Sequence, residues 1–103
     1  MNKFCQVLIS VTSKKEADNI LDNLLKRKLV AGGLIIKGPS RYFWKGKIEE
    51  KEYFNISAFS LLKNKEPIIS EVEKIHSDET PIIAFTEIDG NEKFLKWIEK
   101  EIK

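Results

Sequence analysis

Two long strand-like segments meet at Lys45-Gly46 in the middle of the chain, and any fold must accommodate that hairpin. The glycine supplies the positive φ that a tight turn requires. Tyr42-Phe43-Trp44 leads into the turn, and Lys47-Ile48-Glu49-Glu50-Lys51 leads out with mixed charge. A turn needs a glycine and polar neighbours, not three adjacent aromatics where water should reach them. Two uses compete for those rings. One is a platform on which bases stack. The other is a packing surface for a neighbouring subunit, since aromatics are enriched at interface cores. The mixed charges alongside favour the second, so Tyr42, Phe43 and Trp44 are expected at a subunit interface. Lys47, Glu49, Glu50 and Lys51 read as a solvated flank, with cross-subunit ion pairs as their other use.

The remaining segments alternate in period. Phe4 to Val11 reads as a strand with Cys5, Val7, Ile9 and Val11 on one face, and Phe4 and Leu8 with Gln6 and Ser10 on the other. Both faces are at least half apolar, which suits a strand covered on both sides. Ser13 to Lys28 reads as a helix. Ser13 and Glu16 have capping-box spacing, Ala17, Ile20, Leu21, Leu24 and Leu25 form the stripe, and Lys26-Arg27-Lys28 suits the negative end of the dipole. Leu29 to Ile36 reads as a strand bent or bulged at Gly32-Gly33 and resuming at Arg41. Lys47 to Leu62 is the return strand. Asn64 is expected to cap a second helix with Pro67 in its first turn. Ile82-Ile83-Ala84-Phe85 reads as a buried strand. A C-terminal helix follows Asp89-Gly90-Asn91, with Phe94, Leu95 and Ile98 on one face.

This order predicts an α+β fold. It is a ferredoxin-like β-α-β-β-α-β sandwich with an antiparallel sheet, a long central hairpin and an extra C-terminal helix. Residues 1–103 form one domain at this length. In such a sandwich helices cover one face of the sheet. The first and last strands are apolar on both, so the other face needs a partner. Self-association in a closed, symmetric oligomer answers that need.

Composition narrows the function. Hydrophobic residues make up 42%, charged residues 33%, and the formal net charge is +2. Lys and Glu are mixed along the chain, which argues against a nucleic-acid or membrane surface. No long apolar run or signal peptide is evident, and the single cysteine, Cys5, has no internal disulfide partner. The expected compartment is the cytoplasm.

Few residues offer chemistry. His76 is the single histidine. It can be a metal ligand, with Asp78 or Glu79 supplying oxygens, or a solvated histidine at a helix C-terminus. One imidazole does not make a site, and no H-x-x-x-H, C-x-x-C or D-x-D spacing accompanies it. Cys5 lies in an apolar strand and reads as a small buried filler rather than a nucleophile. Gly32-Gly33 does not open a helix, so it is no dinucleotide or phosphate loop, and a bulge or a close backbone approach is its expected role.

Together these pieces resemble the CutA family of divalent-ion tolerance proteins. Lys28-Leu29-Val30-Ala31 is similar to the family's K-L-A-A. Tyr42 to Glu49 is similar to Y-x-W-x-G-K-x-E, and Leu62-Lys63 ends the third strand. His76 with Thr80-Pro81 follows, and Gly90-Asn91 with Leu95-x-Trp97-Ile98 is similar to G-N-x-x-Y-L-x-W-I. The resemblance implies a ferredoxin-like fold related to PII-like signalling proteins. It also implies a homotrimer held partly by the central hairpin, with no catalysis and no required cofactor. A role in tolerance of copper and other divalent ions follows.

The sequence departs from the family where copper has been placed. Ile9-Ser10-Val11 holds no thiol at the end of the first strand. Cys5 is roughly 13 Å away along it. Gly32 stands where the family has a cysteine after K-L-A-A, Ile75 precedes His76 where some members have a second histidine, and Asp78 stands at an aromatic position. The candidate metal set is therefore His76, Asp78 and Glu79, a weak site suited to harder ions. The alternative is a PII-like sensor of a small molecule or anion at an intersubunit cleft, near Lys47, Lys63 or the first turn of a helix. An RNA-recognition motif and an acylphosphatase share the strand order. Lys51 to Ile56 lacks the glycines and basic character of the first, and Ser10 to Lys14 lacks the arginine of the second.

Overall fold

The computed structural model describes residues 2–102; Met1 and Lys103 lie outside the described residues. The order is β1 (Phe4–Val11), α1 (Lys14–Lys26), β2 (Gly32–Trp44), β3 (Lys47–Leu61), α2 (Lys65–Ile75), β4 (Ile82–Ile88) and α3 (Glu92–Glu101). The strands form one antiparallel sheet in the order β2-β3-β1-β4. This is the expected ferredoxin-like sandwich with its added helix.

Alternation along β1 sets up the core. Cys5, Val7, Ile9 and Val11 turn to the helix side and are fully buried. Ile56 and Ala58 of β3 join them from the next strand, and Ala17, Ile20 and Leu24 of α1 and Ile68 and Val72 of α2 close over them. Arg27 ties the end of α1 to Glu71 of α2 at 2.8 Å. The opposite face carries a second, smaller cluster. Ile98 and Ile102 settle on Leu61 there, flanked by Phe4, Ala31, Phe59 and Phe94. Thus α3 covers one end of the face that α1 and α2 leave open.

Several local expectations need correction. Gly32-Gly33 introduces no bulge: β2 pairs with β3 without a break from Gly32↔Phe59 to Trp44↔Lys47. The glycines answer close approach instead. A Cβ on Gly33 would lie 3.0 Å from the Ser57 carbonyl oxygen. Pro39 is tolerated because β2 is an edge strand, which can dispense with one N–H. Asn64 does not cap α2 with its side chain. A short 3-10 turn (Leu62–Asn64) leads in, and the Asn64 amide reaches back to the Leu29 carbonyl and Ser60 hydroxyl. The β4 strand is not buried on both faces, since Ile82 and Ala84 are exposed while Ile83 and Phe85 pack inward.

The hairpin turn has positive φ at both Lys45 (51°) and Gly46 (81°). That is the primed geometry whose twist matches the strands. The β1 strand pairs with β3 as far as Val11↔Phe54. Residues 47–53 therefore have β2 on one side and no β1 strand on the other. The outer hairpin is a two-stranded arm, and the molecule extends 44 × 24 × 21 Å.

Candidate functional site

The loop after α2 takes its shape from His76, which is the C-cap of that helix. Its side chain is fully shielded from solvent, unlike the solvated histidine that was one reading of the sequence. The Nε2–H donates to the Ser10 carbonyl oxygen at 2.8 Å. The Nδ1 accepts from the Asp78 backbone N–H at 3.1 Å. These partners fix the tautomer, with the proton on Nε2.

Glu16 completes the cluster, and its spacing from Ser13 gave half the signal. Ser13 Oγ does accept from the Glu16 N–H at 3.2 Å. The Glu16 carboxylate does not return to the cap. It accepts from the Ser77 N–H at 3.0 Å and the Ser77 hydroxyl at 2.8 Å, and it lies 3.5 Å from His76 Nδ1. The start of α1, the end of α2 and the end of β1 are thus sewn together at one point. Only the tertiary fold brings Glu16 and His76 together, so no sequence spacing announces the pair.

Asp78 and Glu79 follow on the loop, Asp78 half-buried and Glu79 exposed. Among the described residues, no three His, Cys, Asp or Glu side chains gather into a group that could hold a metal ion. Both His76 ring nitrogens are engaged within the protein. As folded, the donors do not fit a bound metal. Cys5 is 0% exposed, and burial pushes its thiol up to about 11. It offers neither a thiolate ligand nor a nucleophile at neutral pH.

The base of the arm lies close to this loop. Tyr42 and Tyr53 stack with centroids 5.8 Å apart. Burial, with Tyr42 beside it and the charge of Asp78 nearby, raises the Tyr53 phenol well above its usual value. Farther out the arm is bare. Phe43 is 77% exposed and its cross-strand neighbour Ile48 is 65% exposed. Trp44 is half-buried, with Lys45 Nζ 5.8 Å from its ring centre. Arg41 and Glu50 pair across the arm at 2.8 Å.

Beyond α3 the open face of the sheet stays uncovered. The register aligns Leu34, Ser57, Leu8 and Ala84 in one row, and Ile36, Asn55, Ser10 and Ile82 in the next. Leu34 and Ile36 are each 56% exposed. A polar seam crosses this apolar ground. Ser10 Oγ donates to Asn55 Oδ1 at 2.7 Å, Asn55 Nδ2 donates to the Ile36 carbonyl at 3.1 Å, and Gln6 Nε2 donates to Ser57 Oγ. No helix among the described residues is long and apolar enough to cross a membrane.

The model of the CutA1 divalent ion tolerance protein family matches residues 5–101. The divalent-cation tolerance protein CutA of Archaeoglobus fulgidus is 32% identical over 98 residues, 94% of this chain and 96% of that one. Its counterpart in Pyrococcus horikoshii is 30% identical over 94 residues, 86% of this chain and 88% of that one. A solved structure described as the periplasmic CutA of A. fulgidus superposes with a TM-score of 0.92 over the whole of both chains, at 32% identity. The divalent cation tolerance protein of Thermus thermophilus superposes at 0.91 over both whole chains, at 25% identity.

Proposed function

Because the chain belongs to the CutA1 divalent ion tolerance family, we propose that it is a non-enzymatic homotrimer that binds or responds to divalent metal ions such as copper. The observation that carries the assembly is the two-stranded arm. An isolated hairpin is marginal in water, yet residues 47–53 have no third strand, and Phe43 and Ile48 at the tip face solvent. Another copy supplies what a single chain lacks. The uncovered rows around Leu34 and Ile36 support the same reading, since monomers rarely leave such patches bare. The number three is what the family resemblance implies.

Any metal contact is proposed for His76, Asp78 and Glu79. No Cys/His pair accompanies them, and Nδ1 of His76 must first release the Asp78 amide. Binding is therefore weak and led by carboxylates, which suit harder ions. The assignment as a responder rather than a catalyst rests on the family alone.

One preparation tests both halves. Native mass spectrometry of protein purified without chelators should give three chains per particle. Calorimetric titration with copper, zinc and manganese should give weak heats that shrink in Asp78→Ala. A single-chain mass would overturn the assembly. No heat with any ion, and no shift in melting temperature, would remove the metal.

A further inference from the structure

Two residues, Asp89 and Gly90, connect β4 to the cap of α3 at Asn91. Both are exposed. The Gly90 backbone N–H donates to Asp89 Oδ1 at 2.8 Å. That bond holds the Gly90 nitrogen against the Asp89 carboxyl group, at the oxygen bonded to the carbon it would attack. Such proximity supplies much of the barrier lowering in intramolecular reactions. Glycine also places no side chain beside the attacking nitrogen. The other aspartates are followed by bulkier residues: Asn19 after Asp18, Asn23 after Asp22 and Glu79 after Asp78. Asp18 and Asp22 are further restrained within α1.

We propose that Asp89 is a site of spontaneous covalent modification, isomerising to isoaspartate through a cyclic imide with Gly90. The Gly90 nitrogen loses its proton and bonds to the Asp89 side-chain carboxyl carbon. The C–OH bond there breaks, and one water leaves. One water then adds back to the imide. Addition at the side-chain carbonyl restores aspartate. Addition at the main-chain carbonyl routes the backbone through Cβ and leaves the former main-chain carboxyl as the side group. Nothing is oxidised or reduced, and no co-reactant is consumed.

The consequence falls on α3. Isomerisation adds one carbon to the backbone of a two-residue connection. Phe94 leans against Gly90, where an added Cβ would lie 3.1 Å from Phe94 Cδ2. Phe94 in turn meets Phe59 edge-on and stacks with Trp97. The altered connection therefore acts on how α3 seats on the open face of the sheet.

The test holds the purified protein at neutral pH and physiological temperature, then digests it after lysine. The peptide from Ile75 to Lys93 contains both Asp78 and Asp89, so one serves as the comparison for the other. The expected result is an isomer of unchanged mass, placed at Asp89 by electron-transfer fragmentation. It accumulates on the order of tenfold faster than at Asp78. A transient form lighter by one water should precede it. The aged protein should also accept methyl groups from S-adenosylmethionine when treated with an isoaspartyl methyltransferase. In Asp89→Glu, which would have to close a larger ring, that labelling falls to background. Accumulation at Asp89 no faster than at Asp78 would overturn the proposal. So would faster accumulation in the urea-unfolded chain, since the folded geometry would then protect rather than promote.

Discussion

Cys5 lies on the helix side of β1, between Ser60 and Glu87 on the flanking strands. Its alternation with Phe4 and Gln6 made the burial legible from sequence. The energetic consequence appears at high pH. The thiol titrates at about 11 in the folded chain, against 9.0 without burial. Below pH 9 both states keep the proton, and stability does not depend on it. Between about 9 and 11 the unfolded chain loses its proton while the folded chain holds it. Unfolding is therefore favoured as pH rises, by roughly 2–3 kcal/mol in all. Urea unfolding from pH 8 to 11 should show this loss, and Cys5→Ala should flatten it relative to the wild type. Equal slopes for both proteins would mean the thiol does not feel its burial. Glu16 and His76 were less legible. A sequence displays neighbours within a helix turn, and these side chains, at the start of α1 and the end of α2, meet across 60 residues of chain.

Helices were legible where a local signal and the apolar stripe agreed, as in α1. Its start at Ser13 was set by a side-chain cap. Its end shows how context overrides composition. Lys28 takes φ of 56°. The Lys28 N–H reaches the Leu25 carbonyl, and the Leu29 N–H reaches the Leu24 carbonyl. These two bonds are the Schellman pattern, which normally places glycine at the left-handed position. Lysine there bears a steric cost that glycine avoids. Lys28→Gly should raise stability by ~0.5–1 kcal/mol, read as a higher urea midpoint at unchanged slope. A lower midpoint would mean that the Lys28 side chain does more than tolerate its place. The start of α2 was misread for the opposite reason. Asn64 has a good capping side chain, but the Leu29 carbonyl and Ser60 claim it. The Gly32-Gly33 pair left two readings open, since glycine in a strand marks either a bulge or a close approach. The packed backbone of Ser57 and Ala58 selected the second.

For the whole molecule, the decisive quantity is how far the hairpin outruns the sheet. The radius of gyration is 14.1 Å, above the about 13 Å expected for a compact chain of this length. The excess has a place: the arm from Gly38 through Tyr53, beyond the reach of β1. Its aromatics were visible in the sequence, but their division between two faces was not. Tyr42 turns inward to stack on Tyr53, whereas Phe43 points out from the opposite face beside Ile48. Phe43 has little to hold it within one chain, so Phe43→Ser should cost a lone subunit almost nothing, within about 0.5 kcal/mol. If the arm docks on another copy, the same change strips an aromatic anchor from that contact, and truncating a central anchor of this kind costs ~2 kcal/mol or more. The two possibilities separate in dilute solution. Under assembly by the arm, Phe43→Ser should lower the average mass as the protein is diluted and make its melting temperature concentration-dependent. Its far-UV circular dichroism should match the wild type. Trp44→Ala should act in the same direction. A Phe43→Ser protein with the wild-type mass and melting temperature at every concentration would detach the arm from assembly. The burden would then fall on the uncovered rows of Leu34 and Ile36.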